Sequence, residues 1–203
     1  MQKNMAITGR PFMRLANPKL QDLDGLIWEP WQDLALVLCI KAEGDDGTFW
    51  ADIPAGAAGI EKIGREQAIA NSMETLAEQA EIKDYADMLR ELGDLEGPEI
   101  DFYESSNEEL LVVTVSGGMF GAGAIVLPEI QTELRKRLGD FYIIPASRHE
   151  MLCFSAKGRK PDGLSEMIMA VNVTEVDPKD WLGDHAYIYR DGVISPVGRE
   201  CTA

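Results

Sequence analysis

The sequence predicts an α+β fold, a mixed and largely antiparallel sheet with helices packed on it. Three observations carry that expectation. Strand-like runs outnumber helical ones, the two kinds do not alternate as a doubly wound sheet requires, and several strand pairs are joined by the short turn signals that link antiparallel neighbours. There are no internal repeats.

Leu34 to Ile40 reads Leu-Ala-Leu-Val-Leu-Cys-Ile, an unbroken apolar run between charged residues, which fits a strand buried on both faces. Gly44-Asp45-Asp46-Gly47 is a turn signal, and Thr48 to Ile53 is the returning strand of a hairpin. Pro54, Gly56 and Gly59 then break the pattern. Between Gly64 and Gly93 there is neither Gly nor Pro, and Ile69, Met73, Leu76, Ala77 and Ala80 recur at three- and four-residue steps, the mark of an amphipathic helix. After Ala80 the stripe slips to Tyr85, Met88, Leu89 and Leu92, with Asp84 placed to cap a second helix and Asp87 three residues on. Two helices, or one kinked helix, are expected.

Residues 93–109 form an acidic connection containing Gly and Pro, the best candidate for a boundary. Three regions follow: an N-terminal acidic α/β sub-region over 1–92, a linker over 93–109, and a C-terminal α+β domain over 110–203. Leu110 to Val115 is strand-like, Ser116-Gly117-Gly118 ends it, and Ala124 to Leu127 reads as another strand, which makes the segment between them a glycine-rich hairpin. Pro128, the four-residue spacing of Ile130, Leu134 and Leu138, and Gly139 just past the end signal a helix. Phe141 to Ile144 and Met151 to Phe154 are neighbouring strands. Leu164, Ile168 and Val171 mark a helix, Pro178 to Leu182 a helical turn, and Arg190-Asp191-Gly192 the bend of a last hairpin.

The chain has 203 residues, 45% of them hydrophobic, and carries 19 Lys plus Arg against 35 Asp plus Glu, a net charge of −16. It is long enough for one large domain or two small ones, and its composition excludes disordered, collagen-like and disulfide-scaffold classes. The charge argues against direct binding to DNA or RNA through phosphates. No run approaches the roughly 18 apolar residues needed to span a bilayer, and no secretion signal opens the chain, so a cytoplasmic protein with no membrane contact is expected. Cys39 and Cys153 lie in apolar runs and read as small core residues.

The charge is not evenly spread. Residues 1–30 and 111–203 sum to +1 and −2, whereas residues 31–110 hold five basic and twenty acidic side chains, a net of −15. Such a block is either a solvated face or a surface presented to something positive.

Several blocks carry a likeness to a known family. They are Gly123-Ala124 leading into Val126-Leu127-Pro128, Phe141-Tyr142-Ile143-Ile144-Pro145-Ala146-Ser147, His149-Glu150, Val171-Asn172-Val173-Thr174-Glu175-Val176, and Leu182-Gly183-Asp184-His185-Ala186-Tyr187-Ile188-Tyr189. Over about residues 111–197 the chain resembles an uncharacterised bacterial domain family, of unknown function, from gut bacteria of the Clostridia type and their mobile elements. The family pattern favours Pro-Ser-Ser-Ile-His-Glu and Leu-Ser-Asp-His-Val-Tyr, from which Ala146, Arg148 and Gly183 depart. Residues 1–110 show at most a trace of it. The resemblance implies a mobile-element context and no catalytic assignment.

The two histidines each have a carboxylate beside them, His149 with Glu150 and Asp184 with His185. As a set, these four residue types suit a divalent metal, with His149 and His185 as ligands, or an acid–base pair working near neutral pH. The plainer reading is four buried or turn residues satisfied by backbone, because neighbours on a strand face opposite sides. Ser147 lies two residues from His149, without a nucleophile elbow or an oxyanion hole. Gly117, Gly118, Gly121 and Gly123 lack the order of a phosphate-binding loop. Arg135-Lys136-Arg137 and Lys157-Gly158-Arg159-Lys160 read as a helix end and a solvated loop. Trp28, Trp31, Trp50 and Trp181 read as packing anchors, with Trp28 to Trp31 a possible partner-facing corner.

The function expected from these features is a non-enzymatic acidic interaction protein. Glu74, Glu78, Glu81, Asp94, Glu96, Glu99, Asp101 and Glu104 would meet the basic surface of a nucleic-acid-binding nuclease or its ribonucleoprotein, as a mobile-element inhibitor mimicking nucleic acid. No cofactor is expected. The alternatives are a metal-assisted hydrolase or nuclease using His149, Glu150, Asp184 and His185, and a housekeeping scaffold.

Overall fold

The computed structural model describes residues 6–7, 10–44, 47–92 and 109–198, in two compact units, Met1–Gln79 and Ala80–Ala203. The α+β expectation holds in both.

The first unit is organised by one long strand. Around β4 (Leu34–Gly44) stand β1 (Ala6–Ile7), β2 (Phe12–Ala16), β3 (Trp28–Trp31) and β5 (Gly47–Asp52), all antiparallel to it. Cys39 pairs with Phe12 and also with Asp52, so β2 and β5 flank opposite edges of β4. Leu34 to Cys39 are buried, as an apolar run between two partners must be, and Gly44 pairs with Gly47 at the expected hairpin.

Helices α1 (Ala58–Ile63) and α2 (Arg65–Gln79) follow, and α2 packs on β2. The side chains that α2 buries are Ala68, Ser72, Thr75 and Leu76, a stripe rotated from the one that hydrophobicity marks. Small size explains the difference. Ser72 and Thr75 fold their hydroxyls back onto the carbonyls of Ala68 at 2.6 Å and Asn71 at 3.0 Å, which satisfies them without a partner from the sheet.

In the second unit the sheet has the order β11-β10-β8-β9-β7-β6, every pair antiparallel. Its strands are β6 (Ala80–Asp84), β7 (Leu110–Val115), β8 (Phe141–Ser147), β9 (Glu150–Ser155), β10 (Tyr187–Arg190) and β11 (Val193–Pro196). Helices α3 (Tyr85–Leu92), α4 (Pro128–Leu138) and α5 (Leu164–Glu175) and two 3-10 turns, Gly121–Val126 and Pro178–Asp180, complete it.

Two elements differ from expectation. Residues 80–84 are not helical: Ala80 to Asp84 form a strand paired with Val115 to Leu111. The free edge of β7 overrides the weak helical stripe of five residues in which Ile82 sits between Glu81 and Lys83. Asp84 does cap the helix that follows, its Oδ1 accepting the N–H of Ala86 at 2.9 Å. The boundary between units thus falls at Gln79/Ala80, with residues 80–92 in the C-terminal unit; the linker expected over 93–109 lies outside the described residues except for Glu109.

The second difference is Ala124 to Leu127. The segment is a buried 3-10 turn packed on β7 and β9, neither a strand nor part of a glycine-rich hairpin. A Cβ on Gly121 would stand 2.4 Å from Thr114 Oγ1 and 2.4 Å from the Val115 nitrogen, so the glycine is what lets this backbone lie against β7. The other signals read as expected. Ile130, Leu134 and Leu138 are the buried face of α4, and Gly139 follows at φ +74° with its N–H on the Arg135 carbonyl at 3.0 Å. The last hairpin turns through Asp191 at φ +52° and Gly192 at φ +83°, the mirror-image turn that matches strand twist.

Candidate functional site

His149 stands in the two-residue turn between β8 and β9, where the pairing shifts register between Pro145 and Ser147. The bulge frees the turn from the alternation of a regular strand. The backbone of His149 is tied on both sides, its N–H donating to Ser147 Oγ at 3.0 Å and its carbonyl accepting the Thr114 hydroxyl at 3.0 Å. Its ring stacks on Phe120, centroids 5.4 Å apart, and its Nδ1 accepts the backbone N–H of Phe120 at 3.0 Å. On the other side Nε2 lies 3.6 Å from Asp180 Oδ1.

Asp180 ends the 3-10 turn Pro178–Asp180, and its main partner is Arg148. Arg148 Nε stands 2.5 Å from Asp180 Oδ1 as an ion pair, although the approach is not aligned as a hydrogen bond, and the Arg148 N–H donates to the Asp180 carbonyl at 2.9 Å. The guanidinium also lies over the Phe120 ring at 4.7 Å. Burial pushes the His149 pKa below its ordinary value; Asp180 opposes that shift and Arg148 adds to it.

This geometry limits the chemistry. With Nδ1 accepting from an amide, the neutral imidazole carries its proton on Nε2, facing a carboxylate already paired with arginine. Neither nitrogen offers a lone pair to a hydroxyl or a metal without breaking a contact. Ser147 Oγ accepts from the backbone of His149 and not from its ring, so no Ser–His nucleophile is assembled. Glu150, one residue on, opens β9; burial alone pushes its pKa up.

His185 is a separate case. It is buried, its Nδ1 lies 2.8 Å from Oδ1 of its neighbour Asp184, and its ring is tilted against Tyr187 at 5.0 Å. The loop before it is fixed by Asn172, whose Nδ2 donates to the Gly183 carbonyl at 2.9 Å. Among the described residues no group of three or more His, Cys, Asp or Glu side chains stands together to hold a metal ion, so His149, Glu150, Asp184 and His185 do not form one ligand shell. The carboxylate facing His149 is Asp180, which no spacing in the sequence singles out.

The acidic candidates divide between the two units. Glu74 and Glu78 lie exposed on α2, and Glu78 pairs with Arg10. Glu81, on β6, has Lys83 Nζ at 3.7 Å. Asp94, Glu96, Glu99, Asp101 and Glu104 lie outside the described residues. The basic end of α4 is occupied by its own ion pairs: Arg135 with Asp140 at 2.7 Å, Lys136 with Glu133 at 3.4 Å, and Arg137 with Glu109. Cys39 and Cys153 are buried free thiols whose pKa values burial pushes up, which fits core residues. Trp50 packs edge-on against Phe12 at 4.8 Å, and the Trp181 indole donates to the Val176 carbonyl at 3.0 Å.

Compared with known proteins, residues 14–191 match the model of a family of unknown function (DUF5688), and the chain belongs to that family. The match reaches well into the first unit, beyond the 111–197 span in which the sequence blocks show the likeness. No curated protein and no solved structure matches the chain. No helix among the described residues is long and apolar enough to cross a membrane.

Proposed function

We propose, with membership of that family as the premise, that this chain is a non-enzymatic interaction protein whose carboxylates engage the basic surface of a nucleic-acid-handling partner. The observation that carries the reading is the outer stripe of α2. Glu66, Glu74 and Glu78 stand exposed at multiples of four residues with only Ala70 between them, and the last turn of the helix holds no basic residue. Glu74 and Glu78 alone stand four residues apart, where like charges cost helix stability, and Arg10 offsets Glu78; we read the exposed carboxylates of this face as a surface for a partner.

The finer reading is an inhibitor from a mobile element of Clostridia-type bacteria, acting in the cytoplasm, that occupies the nucleic-acid groove of a defence nuclease in the manner of an anti-CRISPR protein. The net charge of −15 over residues 31–110 supports it, since a concentration of carboxylates competes for the same cations as phosphates. The bond that His149 Nδ1 already accepts from the Phe120 N–H favours this reading over one in which that nitrogen acts as base or ligand.

The test is capture of partners from a bacterial lysate by the full chain and by a variant with Glu74, Glu78, Glu81, Asp94 and Glu96 changed to Lys. A basic nucleic-acid-binding protein retained by the parent, lost with rising salt and absent from the variant, is the expected result. Equal capture by both chains overturns the reading.

A further inference from the structure

One loop of the second unit turns a single side chain inward. Residues 116–120 join β7 to the 3-10 turn Gly121–Val126, and of the five only Phe120 is buried; Ser116, Gly117, Gly118 and Met119 are exposed. At one end the chain bends through Gly117 at φ +83° and Gly118 at φ +74°, with the Gly118 N–H on the Val115 carbonyl at 2.8 Å. At the other end Gly121 lies hard against β7, where an added Cβ would meet Thr114 and Val115. A glycine hinge and a fixed anchor therefore bound a short strap, and Met119 and Phe120 are the residues between them.

Phe120 is held against its own backbone preference. Its φ of +62° lies in the left-handed region, where a bulky side chain is strained and stays only while its surroundings hold it. His149 and Arg148 both hold it. The first accepts the Phe120 N–H on Nδ1 at 3.0 Å and stacks on the ring at 5.4 Å, and the second lies over the ring at 4.7 Å. Asp180 in turn steadies both, with Arg148 Nε at 2.5 Å and His149 Nε2 at 3.6 Å from its Oδ1.

Only the neutral imidazole can accept that bond. An imidazolium carries hydrogen on both nitrogens, so its Nδ1–H would point at the Phe120 N–H. The stack tolerates a positive charge, because a cation lies well against an aromatic face; the amide bond does not. Among the described residues the charged groups around His149 are Arg148 and Glu150, which flank it in the chain, and Lys179 and Asp180, from the 3-10 turn Pro178–Asp180; β7 and residues 116–120 bring none. Burial, Arg148 and Lys179 disfavour the charged ring and Asp180 favours it, with burial weighing most, so the proton arrives below the ordinary histidine range.

We infer that residues 116–120 are a proton-operated strap: charging His149 cancels the bond from the Phe120 amide, the Met119–Phe120 peptide turns, and Phe120 leaves its strained backbone and its place against His149. Release adds the Phe120 ring to the already exposed Met119, so an apolar tip is presented at mildly acidic pH and withdrawn at neutral pH.

Heteronuclear NMR of the nitrogen-labelled full chain tests the inference, because the Phe120 amide nitrogen and His149 Nδ1 are coupled across their hydrogen bond. At neutral pH the coupling should be present and the Phe120 amide protected from exchange. The pH is then lowered until the His149 ring nitrogens report the charged form. At that point the coupling should vanish, and the protection of Phe120, corrected for intrinsic exchange, should fall at least about tenfold. The amides of Ile143 and Leu152, inside the sheet, should keep theirs, which separates release of the strap from loss of the fold. In His149→Gln, whose side chain takes no proton in this range, the protection of Phe120 should not vary with pH. A charged His149 with Phe120 still protected overturns the inference, as does a ring that stays neutral until Ile143 and Leu152 lose protection. A pH-dependent Phe120 amide in His149→Gln overturns it as well.

Discussion

The backbone N–H of Phe120 donates to His149 Nδ1 across 3.0 Å, and that bond leaves the proton of the neutral ring on Nε2. A proton on Nδ1 would face the amide hydrogen, so charging His149 requires giving the bond up. Burial lowers the His149 pKa below its ordinary 6.5, with Asp180 pulling the other way. A group whose pKa is lower in the folded chain than in the unfolded one contributes stability above the unfolded value and loses it as the pH falls. Urea unfolding between pH 5 and pH 8 should therefore show stability declining below about pH 6.5. In His149→Gln the decline should be smaller, and an unchanged slope would show that another group is responsible.

Glu150 should behave in the opposite sense. Its pKa is raised, with burial as the cause, so the fold favours the protonated acid and loses stability as the pH rises through the folded value. Glu150→Gln removes the charge and keeps the shape. It should raise the urea midpoint at pH 7, with the gain disappearing as the pH falls below 4.5, where the parent carboxyl is also neutral. A loss of stability at pH 7 would mean that the charged carboxylate makes a favourable contact.

The separation between what the sequence shows and what it hides follows the range of the interactions. Leu34 to Cys39, the helix from Pro128 to Leu138 and the Asp191-Gly192 turn rest on periodicity, end signals and backbone sign, all encoded within a few residues, and each reads directly. Residues 80–84 fail because their state is set by the edge of β7, some thirty residues away. The buried 3-10 turn at Gly121 fails for a related reason: its small residues signal close approach, but not to what. The site repeats the lesson. His149 is conspicuous as one of two histidines, whereas Asp180 and the Phe120 amide that fix its chemistry come from distant segments and carry no local mark.

Gly121 gives the sharpest steric prediction. Its φ is not in the left-handed region, so an alanine there is opposed by space alone, with Thr114 Oγ1 and the Val115 nitrogen in the way. Because both obstacles belong to the sheet, Gly121→Ala should cost roughly 1–3 kcal/mol in denaturant unfolding, the range for overpacking a tight contact. Gly117→Ala is the matched control. That glycine has φ +83° and nothing within 4 Å of the added carbon, so it should cost about 1 kcal/mol through backbone strain. A Gly121→Ala variant as stable as the parent would show that the 3-10 turn is free to move off β7.

Arg14 and Asp52 anchor the first unit from either side of β4. Arg14 is 4% exposed and forks onto the carboxylate, Nε to Oδ1 at 2.8 Å and Nη2 to Oδ2 at 2.7 Å, while Gln21 Nε2 donates to the same Oδ2 at 3.0 Å. Removing one member of such a pair leaves the other desolvated without its counter-charge. Asp52→Ala should therefore destabilise the chain by about 3 kcal/mol. The pair itself adds less than that figure, since two charges were taken from water to make it. Combining Arg14→Met with Asp52→Ala should restore part of the loss, giving a double variant that is more stable than the sum of the two single changes allows. Thermal and urea unfolding of the four chains in the cycle measure this. Strict additivity would mean that the two side chains stabilise the sheet independently, through packing and not through their fork.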